Sequence, residues 1–251
     1  MNYENKCIEI DKLKAELDKY RPFDENTVKQ LKQYYKISLT YTSNAIEGNT
    51  LTESETKVII EDGITIGGHP IREIQETLGH SKAYDFIYTL ISKSDISEND
   101  ILTLHKLFYE QINTEYAGQY RDKKVIITGT TYEPPAPDKV PAQMKNFISE
   151  LNTNKDEVHP VELAARAHFQ LVNIHPFIDG NGRCARLLSN LILLKAGYAV
   201  IIIPPAVRAD YVEALKQAQT KHNAKAFINF ISEMVLESMK DYLRIVKHLA
   251  N

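Results

Sequence analysis

The chain has 251 residues, 43% of them hydrophobic and 25% charged, enough apolar material to bury the core of one domain. A formal charge of −3 offers no basic face for nucleic acid, and two cysteines cannot build a zinc cage. The first six residues lack a signal-peptide pattern and apolar runs such as 198–203 are too short to cross a bilayer, so a cytoplasmic, reducing setting with no membrane partner is expected. In chain order, apolar periodicity and turn residues predict helices near 5–20, 26–47, 53–62, 70–92, 97–113, 139–152, 158–174, 181–196, 206–221 and 224–249. Gly67-Gly68 and His69-Pro70 break the chain before the fourth helix, and Asn223 separates the last two. Between Gly118 and Pro135, the β-branched run Val125 to Thr131 with Gly129 predicts a short β-hairpin closed off by prolines. The expectation is an all-α fold with one hairpin. No linker, repeat, P-loop pattern or His-Glu-x-x-His occurs, so residues 1–251 read as a single domain with helical additions at both ends.

One stretch carries chemistry. His175-Pro176-Phe177-Ile178-Asp179-Gly180-Asn181-Gly182-Arg183-Cys184-Ala185-Arg186 sets a base, an acid, two glycines and two arginines at the mouth of a helix whose Leu187, Leu188, Leu191, Ile192 and Leu194 have helical spacing. Amides in the first turn of a helix lack intrahelical partners and lie at the positive end of its dipole, which makes an anion cradle. Gly180 and Gly182 allow a sharp turn and close approach of an anion to the backbone. His175, with an ordinary pKa near 6.5, suits a general base. Asp179 is a hard oxygen ligand of the kind that holds Mg²⁺ together with substrate phosphates. Arg183 and Arg186, three residues apart, share a helix face and match phosphate oxygens.

The same residues match the signature His-Pro-Phe-x-(Asp/Glu)-Gly-Asn-Gly-Arg-x-x-Arg at all nine defined positions, so the chain resembles the Fic family. That resemblance implies a Fic-fold helical bundle over about residues 40–220 and a protein adenylyltransferase. His175 would deprotonate a Ser, Thr or Tyr hydroxyl of a target protein, the chain itself included, for attack on the α-phosphate of ATP. Mg²⁺ would be the cofactor and ATP the substrate. Asp179 would hold the metal, Asn181 with the amides around Gly180 and Gly182 the inner phosphates, and Arg183 and Arg186 the outer ones.

Upstream, Ser43-Asn44-Ala45-Ile46-Glu47-Gly48 closes the helix predicted over 26–47, with Ser43 and Glu47 on one face. This resembles the family's inhibitory motif, (Ser/Thr)-x-x-x-Glu-(Gly/Asn), which implies that Glu47 pairs with Arg186 and excludes the γ-phosphate. A carboxylate and a phosphate compete for one guanidinium fork, so the pairing has a physical basis. The resemblance also makes Ile126, Ile127, Thr128, Gly129 and Thr130 a flap that holds a target segment by main-chain pairing. It sets Tyr211 beside the nucleotide, although tyrosine at helical spacing favours the core. His168, beside an apolar stripe, is expected to serve in a structural hydrogen bond.

The resulting division is 1–50, N-terminal helices with the inhibitory motif; 51–222, the Fic core; and 223–251, a C-terminal helix. Removal of AMP, use of another nucleotide, and a non-enzymatic interaction module are the alternatives to adenylyl transfer. Self-association is left open.

Overall fold

The computed structural model describes residues 2–127, 130–220 and 223–250, and among these the regular structure is entirely helical. Helix starts follow local chemistry. The side chains of Asn2 and Asp24 accept from backbone amides three residues on and open α1 (Tyr3–Leu17) and α2 (Glu25–Ile46). Reciprocal capping boxes, Thr52 with Glu55 and Ser97 with Asp100, open α3 (Glu53–Glu61) and α5 (Glu98–Tyr109), while α4 (Ile71–Leu90) follows Pro70. Prolines in the first turn start α6 (Val140–Asn154) and α7 (Pro160–Ile174). The chain continues through α8 (Asn181–Lys195), α9 (Arg208–Thr220) and α10 (Lys225–Leu249).

The centre of the fold is α8. Leu187, Leu188, Leu191 and Leu193 are fully buried, and so are Arg183, Arg186, Ser189 and Asn190 on its other faces. A helix buried on every side needs partners for its polar groups. Ser189 donates to Ala164 O, and the Asn190 amide both donates to Arg186 O and accepts from Ile201 N. Each fully buried leucine contributes roughly 1.5–3 kcal/mol of transfer free energy, which anchors α8 firmly. Against it pack α7, α4, α5 and the end of α2. On the far side α10 packs on α7 and α9, and α1 lies along α10.

Two expectations change. The fifth helix stops at Tyr109 instead of running to residue 113: Ile112 N bonds Tyr109 O in a tight three-residue turn, and the Asn113 side chain accepts from Glu115 N, which draws the chain out of the helix. The hairpin does not form among the described residues, and two of its expected members, Thr128 and Gly129, lie outside them. Val125–Ile127 and Thr130–Pro135 run as irregular chain. The physical reason is that a side chain takes the carbonyls a strand partner would need: Arg121 donates to Lys123 O and Pro135 O, while Pro134, Pro135 and Pro137 supply no amide hydrogens. No helix among the described residues is long and apolar enough to cross a membrane.

Candidate active site

His175 caps α7 in the left-handed conformation, φ 50° and ψ 57°, and among the described residues it alone is a non-glycine with positive φ. Such a backbone costs on the order of 1 kcal/mol or more and is kept where the surroundings impose it. Here the amide of His175 donates to Leu171 O, Pro176 forbids further helix, and the backbone amide of Arg121 bonds Pro176 O. The ring Nδ1 lies 3.2 Å from Val172 O. A carbonyl can only accept, so Nδ1 carries the proton and Nε2 is left with its lone pair. Burial lowers the pKa of this imidazole below its ordinary value, and Arg121 adds to that, outweighing the Val172 bond and the nearby carboxylates.

The loop after His175 is held from three directions. Arg121, 2% exposed, donates from Nε to His175 O, from Nη1 to Lys123 O and from Nη2 to Pro135 O, so a buried guanidinium ties the His175 turn to Lys123 and Pro135. Asn181 exchanges two 2.9 Å hydrogen bonds with the backbone N and O of Phe177, which engages its side chain in shaping the loop. His105, fully buried, stacks on Phe177 at 3.8 Å between centroids. Its Nδ1 accepts from Gly118 N, so Nε2 carries the hydrogen that Asp179 O accepts at 3.1 Å. Burial pushes the pKa of His105 down to about 4, so it stays neutral. Gly180 has φ 79°, and a Cβ there would stand 2.8 Å from the Phe108 ring.

Charges fill the rest of the site. Asp179 Oδ1 accepts from Gly180 N at 2.6 Å and from Arg183 Nη2 at 3.3 Å, while Oδ2 accepts from Arg72 Nη2 at 2.6 Å. Glu76 lies between the two arginines, its Oε1 3.2 Å from Arg72 Nε and 3.1 Å from Arg183 Nη1. The Arg183 guanidinium sits 4.3 Å above the Phe108 ring, a cation–π contact, and its Nε has no acceptor in the protein.

Arg186 is 3% exposed and fully engaged. Nε donates to Ser43 Oγ at 2.9 Å, Nη1 to the Tyr211 hydroxyl at 3.3 Å, and Nη2 to Ser43 O at 2.8 Å and to Glu47 Oε1 at 2.7 Å. Burial would raise the Glu47 carboxyl, yet Arg186 and Arg183 hold it below the usual carboxylate range. Glu47 follows the last residue of α2, where the helix dipole disfavours an acid. Arg208 offsets that end by donating to Ile46 O at 2.6 Å. The carboxylate also reaches the first turn of α8: a Cβ on Gly182 would stand 2.5 Å from Glu47 Oε1. No side chain caps this helix. Glu47 therefore lies against the first turn of α8 as well as against Arg186.

The structure thus brings His175, Asp179, Gly180, Asn181, Gly182, Arg183 and Arg186 together with Ser43 and Glu47. Tyr211 belongs to the buried scaffold: its ring packs on Phe227, Phe230 and His168, and its hydroxyl links Arg186 to His168 Nε2 at 3.1 Å. His168 serves in the structural bond expected of it. Of the flap residues, Ile126 is 95% exposed and Ile127 and Thr130 partly so. Sequence reasoning missed Arg72, Glu76 and His105. The i,i+4 pair Arg72 and Glu76 was the one available signal, and such pairs usually belong to a solvated face.

Among the described residues no group of three His, Cys, Asp or Glu could hold a metal alone. A single carboxylate that already faces a cation, beside an anion cradle, nevertheless fits Mg²⁺, which is commonly held by one or two carboxylates plus substrate phosphates.

The fold and this constellation define a helical protein in which a glycine-rich turn opens a buried helix between a histidine and two arginines. The family model described as Fic/DOC family matches residues 95–193. Protein adenylyltransferase Fic from Nematostella vectensis is 41% identical over 206 residues, covering 81% of this chain and 48% of its own length. The structure of Fic-1 (residues 134–508) from C. elegans superposes with a TM-score of 0.88 at 31% identity, over 98% of this chain and 73% of that one. A Fic domain containing signaling protein from Bacteroides thetaiotaomicron gives a TM-score of 0.88 at 27% identity, with 96% and 97% covered. The chain belongs to the Fic/DOC family, and it spans about half the length of the curated relatives it matches.

Proposed function

We propose that this chain is a protein adenylyltransferase, transferring AMP from ATP to a Ser, Thr or Tyr hydroxyl of a protein and restrained by its own Glu47. The observation that carries the reading is the tautomer of His175: with Nδ1–H engaged by Val172 O, Nε2 is a base with its lone pair available beside the first turn of α8. In the transfer, the target hydroxyl oxygen forms a bond to the α-phosphorus, the bond from that phosphorus to the bridging oxygen breaks, pyrophosphate leaves, and the hydroxyl proton passes to His175 Nε2. The amides of α8, Arg183 and Arg186 neutralise charge on the phosphates. Asp179 would hold Mg²⁺, which when bound supplies Lewis-acid stabilisation of the phosphate oxygens. The names of the adenylyltransferase relatives support the same chemistry. Glu47 stands where an outer phosphate must settle, so transfer requires it to release Arg186.

The reading extends to three further points. The packing of α1 along α10 and the reach of α2 to Arg186 support one domain over residues 1–251, with 1–50, 51–222 and 223–251 as its parts. Residues 125–127 and 130–132, irregular and with Ile126 exposed, are the proposed resting place of a target backbone. Two free, buried cysteines suit a reducing compartment such as the cytoplasm.

Intact-mass spectrometry after incubation with ATP, Mg²⁺ and candidate targets tests the proposal. The Glu47→Gly chain is expected to add the mass of AMP to a target or to itself about tenfold faster than the native chain, corresponding to one charge-assisted contact removed. Glu47→Gly with His175→Ala is expected to add none. Undiminished labelling in the double variant would remove the histidine from the mechanism, and labelling by other nucleotides but not by ATP would change the substrate.

A further inference from the structure

We propose that Arg72 is a built-in stand-in for the divalent cation: its guanidinium holds Asp179 Oδ2 at rest and is displaced when Mg²⁺ arrives with the nucleotide. The inference rests on the adenylyl-transfer reading, which is what brings a cation to Asp179.

The two oxygens of Asp179 have partners of different kinds. Oδ1 faces fixed groups, the Gly180 amide at 2.6 Å and Arg183 Nη2 at 3.3 Å, and the Arg183 side chain is only 4% exposed beneath Phe108 and Glu76. Oδ2 faces Arg72 Nη2 at 2.6 Å, and the Arg72 side chain is 54% exposed. A half-exposed arginine has somewhere to go. It is therefore the exchangeable ligand, while Arg183 and Gly180 keep the carboxylate aimed.

The position of Arg72 in its own helix points the same way. It lies in the first turn of α4, where the helix dipole disfavours a cation, and its contacts run to Glu76 and, 107 residues on, to Asp179. The i,i+4 pair with Glu76 gives the helix only slight support against that dipole, and the stronger partner is the anion across the site. Glu47 supplies the complementary case, an anion from α2 seated where a phosphate belongs. Each charged half of a metal–nucleotide complex thus has a counterpart in the resting protein, and the two come from different helices.

The test reads binding in the Glu47→Gly, His175→Ala chain, which carries out no transfer. The dissociation constant of a fluorescent ATP is measured with saturating Mg²⁺ and again with EDTA, and the ratio of the two reports how strongly metal supports nucleotide. Adding Arg72→Gln is expected to widen that ratio about two- to fivefold, the scale of a partly exposed ion pair, with Arg72→Lys between. Thermal melting of each variant confirms that the fold is retained. An unchanged ratio would overturn the inference alone. A narrowed one would overturn it too, by making Arg72 a support that orients Asp179 for metal. A parent chain that binds no ATP, or binds it equally with and without Mg²⁺, would instead overturn the transferase reading beneath it.

Discussion

Glu47 and Arg186 are 139 residues apart in sequence and meet at 2.7 Å, the carboxylate accepting from a guanidinium that also bonds Ser43 twice and Tyr211 once. The end of α2 and the first turn of α8 are joined through that one fork. Because its pKa is held below the carboxylate range, Glu47 keeps its charge as pH falls through mild acid, and the contact is lost only when pH passes below that lowered value. Mild acid does not unlock the site.

Gly182 tests where the phosphate sits. A Cβ there would stand 2.5 Å from Glu47 Oε1 and 3.2 Å from Arg186 Nη1, so the methyl group invades the space that the carboxylate fills. In the Glu47→Gly chain, Gly182→Ala is expected to weaken ATP binding by about tenfold or more, as measured by calorimetry. Unchanged affinity would mean that the nucleotide does not use this turn.

Arg121 tests whether the turn at His175 depends on the chain around Lys123 and Pro135. Three backbone carbonyls lose their donor in Arg121→Ala, at a cost of about 2–4 kcal/mol, visible as a lowered melting temperature. Transfer in the Glu47→Gly background should fall at least roughly tenfold, since a shift of about 1 Å in a reacting group can cost 10²-fold. Arg121→Lys cannot reach three carbonyls at once and should not restore the rate. A fully active Arg121→Ala chain would separate the turn from the segment 123–135.

The acid limb of the pH–rate profile reports His175. Its folded pKa lies below 6.5, so the neutral base persists below that pH and activity is lost only as pH falls through the lowered value. In the Glu47→Gly chain the limb of kcat/KM is accordingly expected below pH 6.5. A limb above that value would mean that a different group titrates.

Three buried histidines give stability its own pH dependence. Burial holds His80 at about 3 and His105 at about 4, and pushes His168 well below the usual range. Unfolded, each would take up a proton near pH 6.5. Their stabilising effect is thus fully present above that pH and declines as pH falls below it, on the order of 1 kcal/mol per pH unit for each ring. Denaturant unfolding at pH 7, 6 and 5 is expected to show a steepening loss. His168→Gln, which keeps a side-chain donor near Tyr211, should flatten it by about a third.

Most helices could be read directly because their start signals are local: Asp24, Thr52 and Ser97 cap from within three residues. The motif from His175 to Arg186 was equally legible, being twelve consecutive residues with roles set by chemistry. What escaped the sequence depends on meetings at long range. Arg72 and Glu76 form an ordinary pair within α4, and nothing in that spacing reveals Asp179 on the other side. His105 lies mid-helix in α5 with no neighbour to mark it. Residues 125–127 and 130–132 include strand-forming types, but β-propensity yields to context, and Arg121 ties the flanking carbonyls of Lys123 and Pro135 in place of a strand partner. The hydrogen bonds of the Asn181 side chain to the Phe177 N and O, which shape the loop, are likewise not written in its spacing.

His105 has a mechanical consequence. One rigid imidazole, gripped by Gly118 on one nitrogen and by Asp179 on the other, and clamped flat against Phe177, welds the root of the surface loop to the floor of the pocket. A force on Gly118 is carried through that ring to the backbone of Asp179, and so to the turn from which its carboxylate projects.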